Sequence, residues 1–245
     1  MAVSIIGSPE INLNFTNPYT PAGGADAIVW ATSQKGVGTL SIADISISGS
    51  GGGTITLTGG KVNALIVDSG TANSVLSLLI WVYIADAPNG DLSGSLSYTG
   101  TPSASQLKAV IWSLNSSTGL ISQDTGGSGS QGFASAATPW TNTNVTPAVG
   151  TVLCYAEGNT NQNTTITSVG PGFTERRDVN AGVHRMSGGD LTSVSGGSTP
   201  WNVSLLSADT GSIAVVSFKE GSASVTNPVP PGARQTFYTK KIIQY

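Results

Sequence analysis

The chain has 245 residues, of which only 9% are charged, and its formal net charge at pH 7 is −3. Disorder goes with high net charge and few β-branched residues, so this low charge and the dense runs of Val, Ile, Leu and Thr exclude a disordered chain. Such a composition favours pleated sheets whose outer faces are polar but uncharged, and the predicted fold class is all-β.

The predicted elements are short stretches of period two or short apolar runs, bounded by Gly, Asn or Pro. In chain order these strand candidates lie at 11–15, 40–42, 45–47, 54–58, 62–67, 75–84, 107–114, 151–157, 163–169, 201–207 and 212–218. Turn signals separate them, and no segment shows a sustained helical pattern with caps. Residues 124–132, which consist largely of Gly and Ser, are predicted to form a flexible loop. Many strands separated by turns predict a single β-sandwich of the jelly-roll type.

Two of these runs, 75–84 and 212–218, are apolar on both faces. A central strand that is covered on both sides has this pattern, and so does a strand in a subunit interface. Both interpretations remain open from the sequence.

The two ends of the chain differ from its middle, which gives an N-terminal arm at 1–24, a β-sandwich domain at 25–221 and a C-terminal arm at 222–245. The C-terminal arm begins with a semi-rigid, proline-rich hinge at 227–232. Exposed apolar strands seek an open sheet edge, so the arms are predicted to make assembly contacts, either on their own domain or on a neighbouring subunit. The arm residues expected to make these contacts are Ile11, Leu13, Phe15, Phe237, Tyr238, Ile242, Ile243 and Tyr245.

The single cysteine, Cys154, excludes an internal disulfide, and its apolar surroundings predict a buried free thiol. The first residues show neither a basic n-region nor an apolar core, so no signal peptide is expected. The most apolar stretch, 75–85, is far shorter than the roughly 20 residues that span a bilayer, and no membrane insertion is expected.

A search for catalytic groups finds almost nothing. The chain has one histidine, His184, and no G-x-S-x-G motif that would supply a serine nucleophile for it. We therefore expect His184 to be a loop or sheet-face residue. One Cys and one His are too few for a zinc site. We therefore predict no catalytic residue, no enzymatic activity and no cofactor, with a hydrolase as the least favoured hypothesis.

One loop carries oxygen ligands that calcium could use. Asp86, Asn89 and Asp91 lie within six residues of each other and form the single candidate metal site. The favoured interpretation of the same loop is an Asx/Pro turn that joins two strands.

Carbohydrate binding is the main functional rival. Sugar-binding sandwiches stack exposed aromatic rings on sugar rings, and Trp140 and Trp201 each follow a Thr-Pro pair before a polar residue. These two tryptophans are the candidates for sugar stacking. Trp30, Trp81 and Trp112 lie in apolar strands and are predicted to belong to the core.

The order of several segments is more informative than any one of them. An apolar strand at 74–83 follows a stretch rich in Gly and Thr, Gly170-Pro-Gly-Phe-Thr forms a "G-x-G-F/Y-T" turn, and Ala214-Val-Val-Ser-Phe gives a closing "A-V-V-x-F" strand. Over residues 25–221 this order resembles a jelly-roll-like β-sandwich module of bacteriophage virion proteins, among them decoration, fibre and tail-associated proteins, and of bacterial surface proteins.

The resemblance implies a structural protein of a phage particle, displayed on the capsid or tail and anchored to neighbouring subunits through its terminal arms. The partners of such a protein would be other virion proteins, further copies of itself in a homo-oligomer and host-surface glycans. It would be assembled in the bacterial host cytoplasm and reside on the particle surface. The basic residues of the C-terminal arm are too few to indicate nucleic-acid binding. The alternative function is a carbohydrate-binding or adhesin module for attachment to the host surface.

Overall fold

The computed structural model describes residues 3–10, 18–49, 54–55, 60–67, 73–83, 91–103, 109–142, 145–170, 172–192, 194, 196–197 and 201–221. Within these ranges no helix has the length and apolar character needed to cross a membrane. The strands are β1 Val3–Glu10, β2 Ala27–Gly49, β3 Thr54–Ile55, β4 Gly60–Val67, β5 Asn73–Tyr83, β6 Leu92–Pro102, β7 Ala109–Ser116, β8 Ile121–Ala137, β9 Trp140–Asn142, β10 Val152–Asn159, β11 Ile166–Val169, β12 Thr174–Asn180, β13 Arg185–Leu191, β14 Trp201–Leu205 and β15 Asp209–Glu220.

These strands form three antiparallel sheets. The front sheet has the order β1-β7-β2-β5-β4, with β3 and β6 also paired to β2. The back sheet has the order β12-β13-β10-β15-β8, and the cover sheet has the order β11-β14-β9. The prediction of an all-β fold is therefore confirmed.

The front and back sheets face each other across one apolar core. Its ring contacts include Trp81 and Phe218, whose centroids lie 5.5 Å apart with the planes at 82°. This edge-to-face arrangement is one that aromatic pairs prefer. The core's main buried members are Val29, Ala31, Leu79, Trp81, Val110 and Trp112 from the front sheet and Cys154, Ala156, Met186, Ala214, Val216 and Phe218 from the back sheet.

A bend in the long strand β2 covers the outer face of the front sheet. The first half of β2 pairs with β5 and β7, and the second half pairs with β6. Gly100 lies opposite the bend with a φ of +102°, and an added Cβ there would come within 2.5 Å of the Thr39 carbonyl oxygen. Glycine is therefore required at this corner. Beyond it, Ile47 of β2 and Leu92 of β6 pack on Trp30 and its neighbours in a second apolar cluster.

The cover sheet protects the outer face of the back sheet in the same way. Val203 and Leu205 of β14 pack against Tyr155 of β10 and against Ile213 and Val215 of β15. Strands β5 and β15 are thus buried on both faces within one chain, which explains why their sequences show no alternation. Of the two interpretations of these runs, the covered central strand is the one that the structure shows.

The largest difference from the sequence analysis concerns 124–132, which belong to β8 and are not a loop. Strand β8 pairs with β15 over most of its length, including Gly129 with Val215 and Gly132 with Ser212. A strand at the edge of a sheet can be held by backbone hydrogen bonds to an apolar neighbour, so it needs few core side chains of its own. Gly and Ser composition therefore gave the wrong prediction.

Part of the predicted N-terminal arm is a strand of the front sheet. Val3–Glu10 pairs with β7, and Val3 is buried in the core between the sheets. The predicted contact residues Ile11, Leu13 and Phe15 lie outside the described residues, and so does the whole C-terminal arm with Phe237, Tyr238, Ile242, Ile243 and Tyr245.

The front and back sheets come unusually close together at Gly158 of β10. A Cβ added to Gly158 would lie 2.8 Å from the Cβ of Ser33 and 2.8 Å from Cγ1 of Val75, both on the front sheet. Real Cβ atoms do not approach other carbon atoms this closely, so the gap between the sheets at this point accommodates only glycine.

We predict that Gly158→Ala lowers the free energy of unfolding by about 2 kcal/mol, because the added methyl group overpacks the contact between the sheets. Urea denaturation measures this loss. Gly129→Ala is the matched control in the same sheet, since its added Cβ would meet only Cγ2 of Val145 at 3.8 Å. Equal stability of the two variants would contradict the close approach.

Candidate functional site

The lone histidine lies in the interior beside a serine. His184 precedes β13, and its Nε2 lies 2.9 Å from Oγ of Ser33 on the front sheet. Neither side chain is accessible to a substrate, because Ser33 is 2% exposed and His184 is fully buried. A catalytic pair also needs a third group to orient the histidine, but Nδ1 of His184 has no hydrogen-bond partner in the described part of the chain.

Burial controls the charge of this histidine. The pKa of His184 is lowered to about 4, chiefly by burial and in smaller part by the positive charge of Lys35, while a hydrogen bond to the Ser33 backbone acts in the opposite direction. His184 is therefore neutral at pH 7 and acts as a buried polar link between the sheets. The expectation of a loop or sheet-face residue is corrected in one respect, because its side chain points inward.

Other hydroxyl groups join the two main sheets near this pair. Oγ of Ser77 on β5 donates to the carbonyl oxygen of Ser212 on β15 at 2.8 Å. Oγ of Ser212 donates in return to the carbonyl oxygen of Val75 at 3.1 Å. Side chains of each sheet thus bond to the backbone of the other sheet, which fixes their separation and relative position.

A second set of contacts between the two main sheets is a charged network. Both oxygens of the buried Asp190 accept hydrogen bonds from Arg176, at 2.6 Å from Nε and at 2.9 Å from Nη2. Nε1 of Trp112 on the front sheet donates to the same carboxylate at 2.8 Å. A buried carboxylate with a bidentate arginine and an indole donor is well satisfied, so this network is structural.

The only cysteine adjoins this network and is unreactive. Cys154 is buried, and burial raises the pKa of its thiol while the nearby negative charge of Asp190 raises it further. The thiolate is the reactive form, so this position gives no nucleophile. The expected buried free thiol is confirmed.

Glu157 on β10 is the one buried carboxyl group whose two oxygens both lack a hydrogen-bond partner among the described residues. Burial raises its pKa, and the carboxylates of Asp178 and Asp209 raise it further. The neighbouring Asp178 is itself paired, at 2.9 Å from Nη2 of Arg185. Glu157 therefore favours its protonated form and lies under the cover sheet with no path to a substrate.

The candidate calcium loop is described only in part. Asp86 and Asn89 lie outside the described residues. Oδ1 of Asp91 accepts a hydrogen bond from Oγ1 of Thr20, which joins the segment before β2 to the start of β6. Within the described ranges no group of three or more His, Cys, Asp or Glu residues is arranged to hold a metal ion.

The two candidate tryptophans for sugar stacking have different outcomes. Trp140 is fully buried, its ring is stacked on Phe133 at 4.9 Å, and its Nε1 donates to the carbonyl oxygen of Asp209 at 3.2 Å. A sugar platform needs an open ring face, so the structure corrects the expectation for Trp140, which is a core residue. Trp201 begins β14, but its side chain is outside the described part. Trp30, Trp81 and Trp112 are buried, as predicted.

Two of the depressions on the described surface are relevant to binding. One, of about 460 Å³, is lined by amide and hydroxyl side chains, including Thr160, Asn161, Gln162 and Asn163. The other, of about 440 Å³, lies between β1 and the pair Arg176 and Thr192. Neither contains the buried Ser33–His184 pair, Cys154 or Glu157 in its lining.

Sequence reasoning missed the roles of Arg176, Asp190 and Glu157. Asp190 lies 78 positions from its partner Trp112, so the strand pattern could not reveal this pair. Glu157 did give a signal, because it follows directly on the apolar run 152–156, where an acid on a central strand is unusual.

Comparisons of the chain with protein-family models, with curated proteins and with solved structures found no match.

We predict that Glu157→Gln raises the melting temperature at pH 8 and that this gain shrinks toward pH 4. The folded pKa of Glu157 lies above the unfolded value, so its contribution to stability is present below the unfolded pKa and is lost as the pH rises. Glutamine has no such proton-linked cost.

Thermal melts of the two proteins between pH 4 and pH 8 measure this difference. Glu10→Gln, at an exposed position of β1, controls for the loss of one negative charge. If the difference in melting temperature between Glu157→Gln and the native protein is the same at every pH in this range, a buried and protonated Glu157 is refuted.

Proposed function

We propose that the chain is a non-enzymatic structural protein of a phage particle, with a jelly-roll-like sandwich displayed on the capsid or tail and terminal arms anchored to neighbouring subunits. The observation that carries the proposal is the layering of the three sheets. Both main sheets are covered on both faces. Among the described residues, the candidate reactive groups Ser33, Cys154, Glu157 and His184 are all buried.

The buried groups support the non-enzymatic part of this proposal. Ser33 with His184 and Trp112 with Asp190 each link the front sheet to the back sheet. A residue that joins two sheets by a buried hydrogen bond contributes to rigidity, and exposing it to a substrate would open the core. These contacts suit a protein that bears load.

The resemblance to phage virion modules supports the location. Two of the segments that carry it, at 74–83 and 214–218, lie in β5 and β15, which contribute to the core between the main sheets. The "G-x-G-F/Y-T" motif begins at Gly170, after β11, and its Thr174 opens β12. The resemblance thus concerns the framework of the domain and carries no catalytic residue.

Charge supports anchoring through the C-terminal arm. All thirteen acidic residues and seven of the ten basic residues lie in 1–221, so this part has a net charge of −6. The C-terminal arm has Arg234, Lys240 and Lys241 with no acid, and its side chains carry +3. Opposite charges on the arm and on the domain favour contact between them and speed association.

Carbohydrate binding remains the second candidate because amide and hydroxyl groups line the depression around Asn161 and Gln162. Such groups match sugar hydroxyls. This site lies on the domain itself, so attachment through it is expected to survive removal of the arm. Attachment through the C-terminal arm is expected to be lost when the arm is removed.

We predict that deletion of residues 222–245 abolishes co-sedimentation of the protein with its native particles while the domain keeps its melting temperature. The control carries the same 24 residues in scrambled order, which keeps their charge and composition. Scattering from the free proteins measures self-association in parallel. Full co-sedimentation of the deleted chain would contradict anchoring through this arm.

A further inference from the structure

The cleft beside β1 is formed by the edges of the two main sheets. Its walls include Ser4 and Ser8 of β1 on one side and Arg176 and Thr192 on the other, and its volume is about 440 Å³. Ser4 and Ser8 are exposed, whereas Val3 at the end of the cleft reaches the core. The cleft thus combines hydroxyl groups, one guanidinium group and an apolar end.

Strand edges are free at this place in the described part of the chain. There β1 pairs only with β7, and β12 pairs only with β13, so each ends its sheet. An edge strand presents a row of backbone donors and acceptors that another strand can complete. Arg176 adds a donor, because Asp190 engages only its Nε and Nη2.

The described part of the chain ends near the start of this cleft. The amide of Gly221, the last described residue, donates to the carbonyl oxygen of Leu120 at 2.8 Å. The preceding residue, Glu220, accepts a hydrogen bond from Oγ of Ser117 at 2.7 Å. The neighbouring Ser116 is the pairing partner of Val3, where β1 and the cleft begin.

We propose that this cleft receives residues 233–245 of a neighbouring copy of the chain, which add as a strand beside β1. This inference rests on the proposed function, because it names the receptor for the arm that anchors one subunit to the next. The arm segment supplies apolar strand-forming residues, among them Phe237 and Ile243. Its positive charge is attracted by the acidic domain as a whole, and the one charged side chain of the cleft, Arg176, is already paired with Asp190.

The hinge favours a neighbour's cleft over the chain's own. Residues 222–232 would span roughly 34 Å if extended at about 3.1 Å per residue, and their prolines predict a semi-rigid spacer. A spacer of this kind carries the apolar segment away from a cleft that begins next to its own attachment point. Effective concentration is highest where the linker length matches the distance to be spanned, so an extended spacer of this length favours a cleft on another copy over one beside its own attachment point.

The contact is heterologous, since the arm of one copy meets the cleft of the next. Such head-to-tail contacts close into rings or extend into open arrays. Both arrangements suit a protein repeated over a particle surface.

Site-specific cross-linking tests the inference. Two single variants, Ser8→Cys in the cleft and Thr239→Cys in the arm of a tagged copy, are mixed and treated with a short bismaleimide. Cys154 is buried and leaves the introduced thiols as the reactive ones. Ser97→Cys on β6, also exposed, replaces Ser8→Cys in the control mixture.

We expect the mixture with Ser8→Cys to give several-fold more cross-linked heterodimer than the mixture with Ser97→Cys. Equal yields would overturn the cleft assignment. A double variant with Ser8→Cys and Thr239→Cys that links only within one chain at all dilutions would also overturn it, because the arm would then occupy its own cleft. A third outcome is that deleting 222–245 abolishes co-sedimentation although the full chain forms no specific cross-link. That combination supports the proposed function and refutes only this receptor site.

Discussion

Hydroxyl groups on the front and back sheets bond to the backbone of the opposite sheet and set the distance between them. The reciprocal bonds of Ser77 and Ser212 lie close to Gly158, where even one methyl group would collide with the front sheet. A polar bond buried in the core is favourable only when both partners hold their positions, so it demands an accurate register of β5 against β15. The remaining layers are built around this fixed pair of sheets.

The layers leave edges as the places where the domain can meet other molecules. The bent end of β2 with β6 covers one main sheet, and the cover sheet covers the other, so the apolar faces are used within the chain. Low surface charge reduces repulsion between copies packed side by side. The proposed assembly rests on these closed faces, on sheet edges that are open among the described residues and on the basic C-terminal arm.

The sequence could predict the parts of this fold that depend on local pattern. The run 75–82 is apolar at every position except Ser77 because both faces of β5 are covered, and the buried Cys154 follows from its apolar neighbours. Strand β8 could not be predicted, because its backbone pairing with β15 supplies what its Gly and Ser side chains lack. Nor could the burial of Trp140, since its partner Asp209 lies 69 positions away. Contacts between distant strands depend on topology, which local periodicity does not encode.

Native-state hydrogen exchange tests most directly whether the two main sheets act as one unit. Because hydroxyl groups lock β5 to β15, the backbone amides of both strands should exchange only through global unfolding and show the same opening free energy. Edge amides of β8 and β12 should exchange faster. Exchange of the β5 amides at a clearly lower opening free energy than those of β15 would show that the sheets separate independently, which contradicts the account.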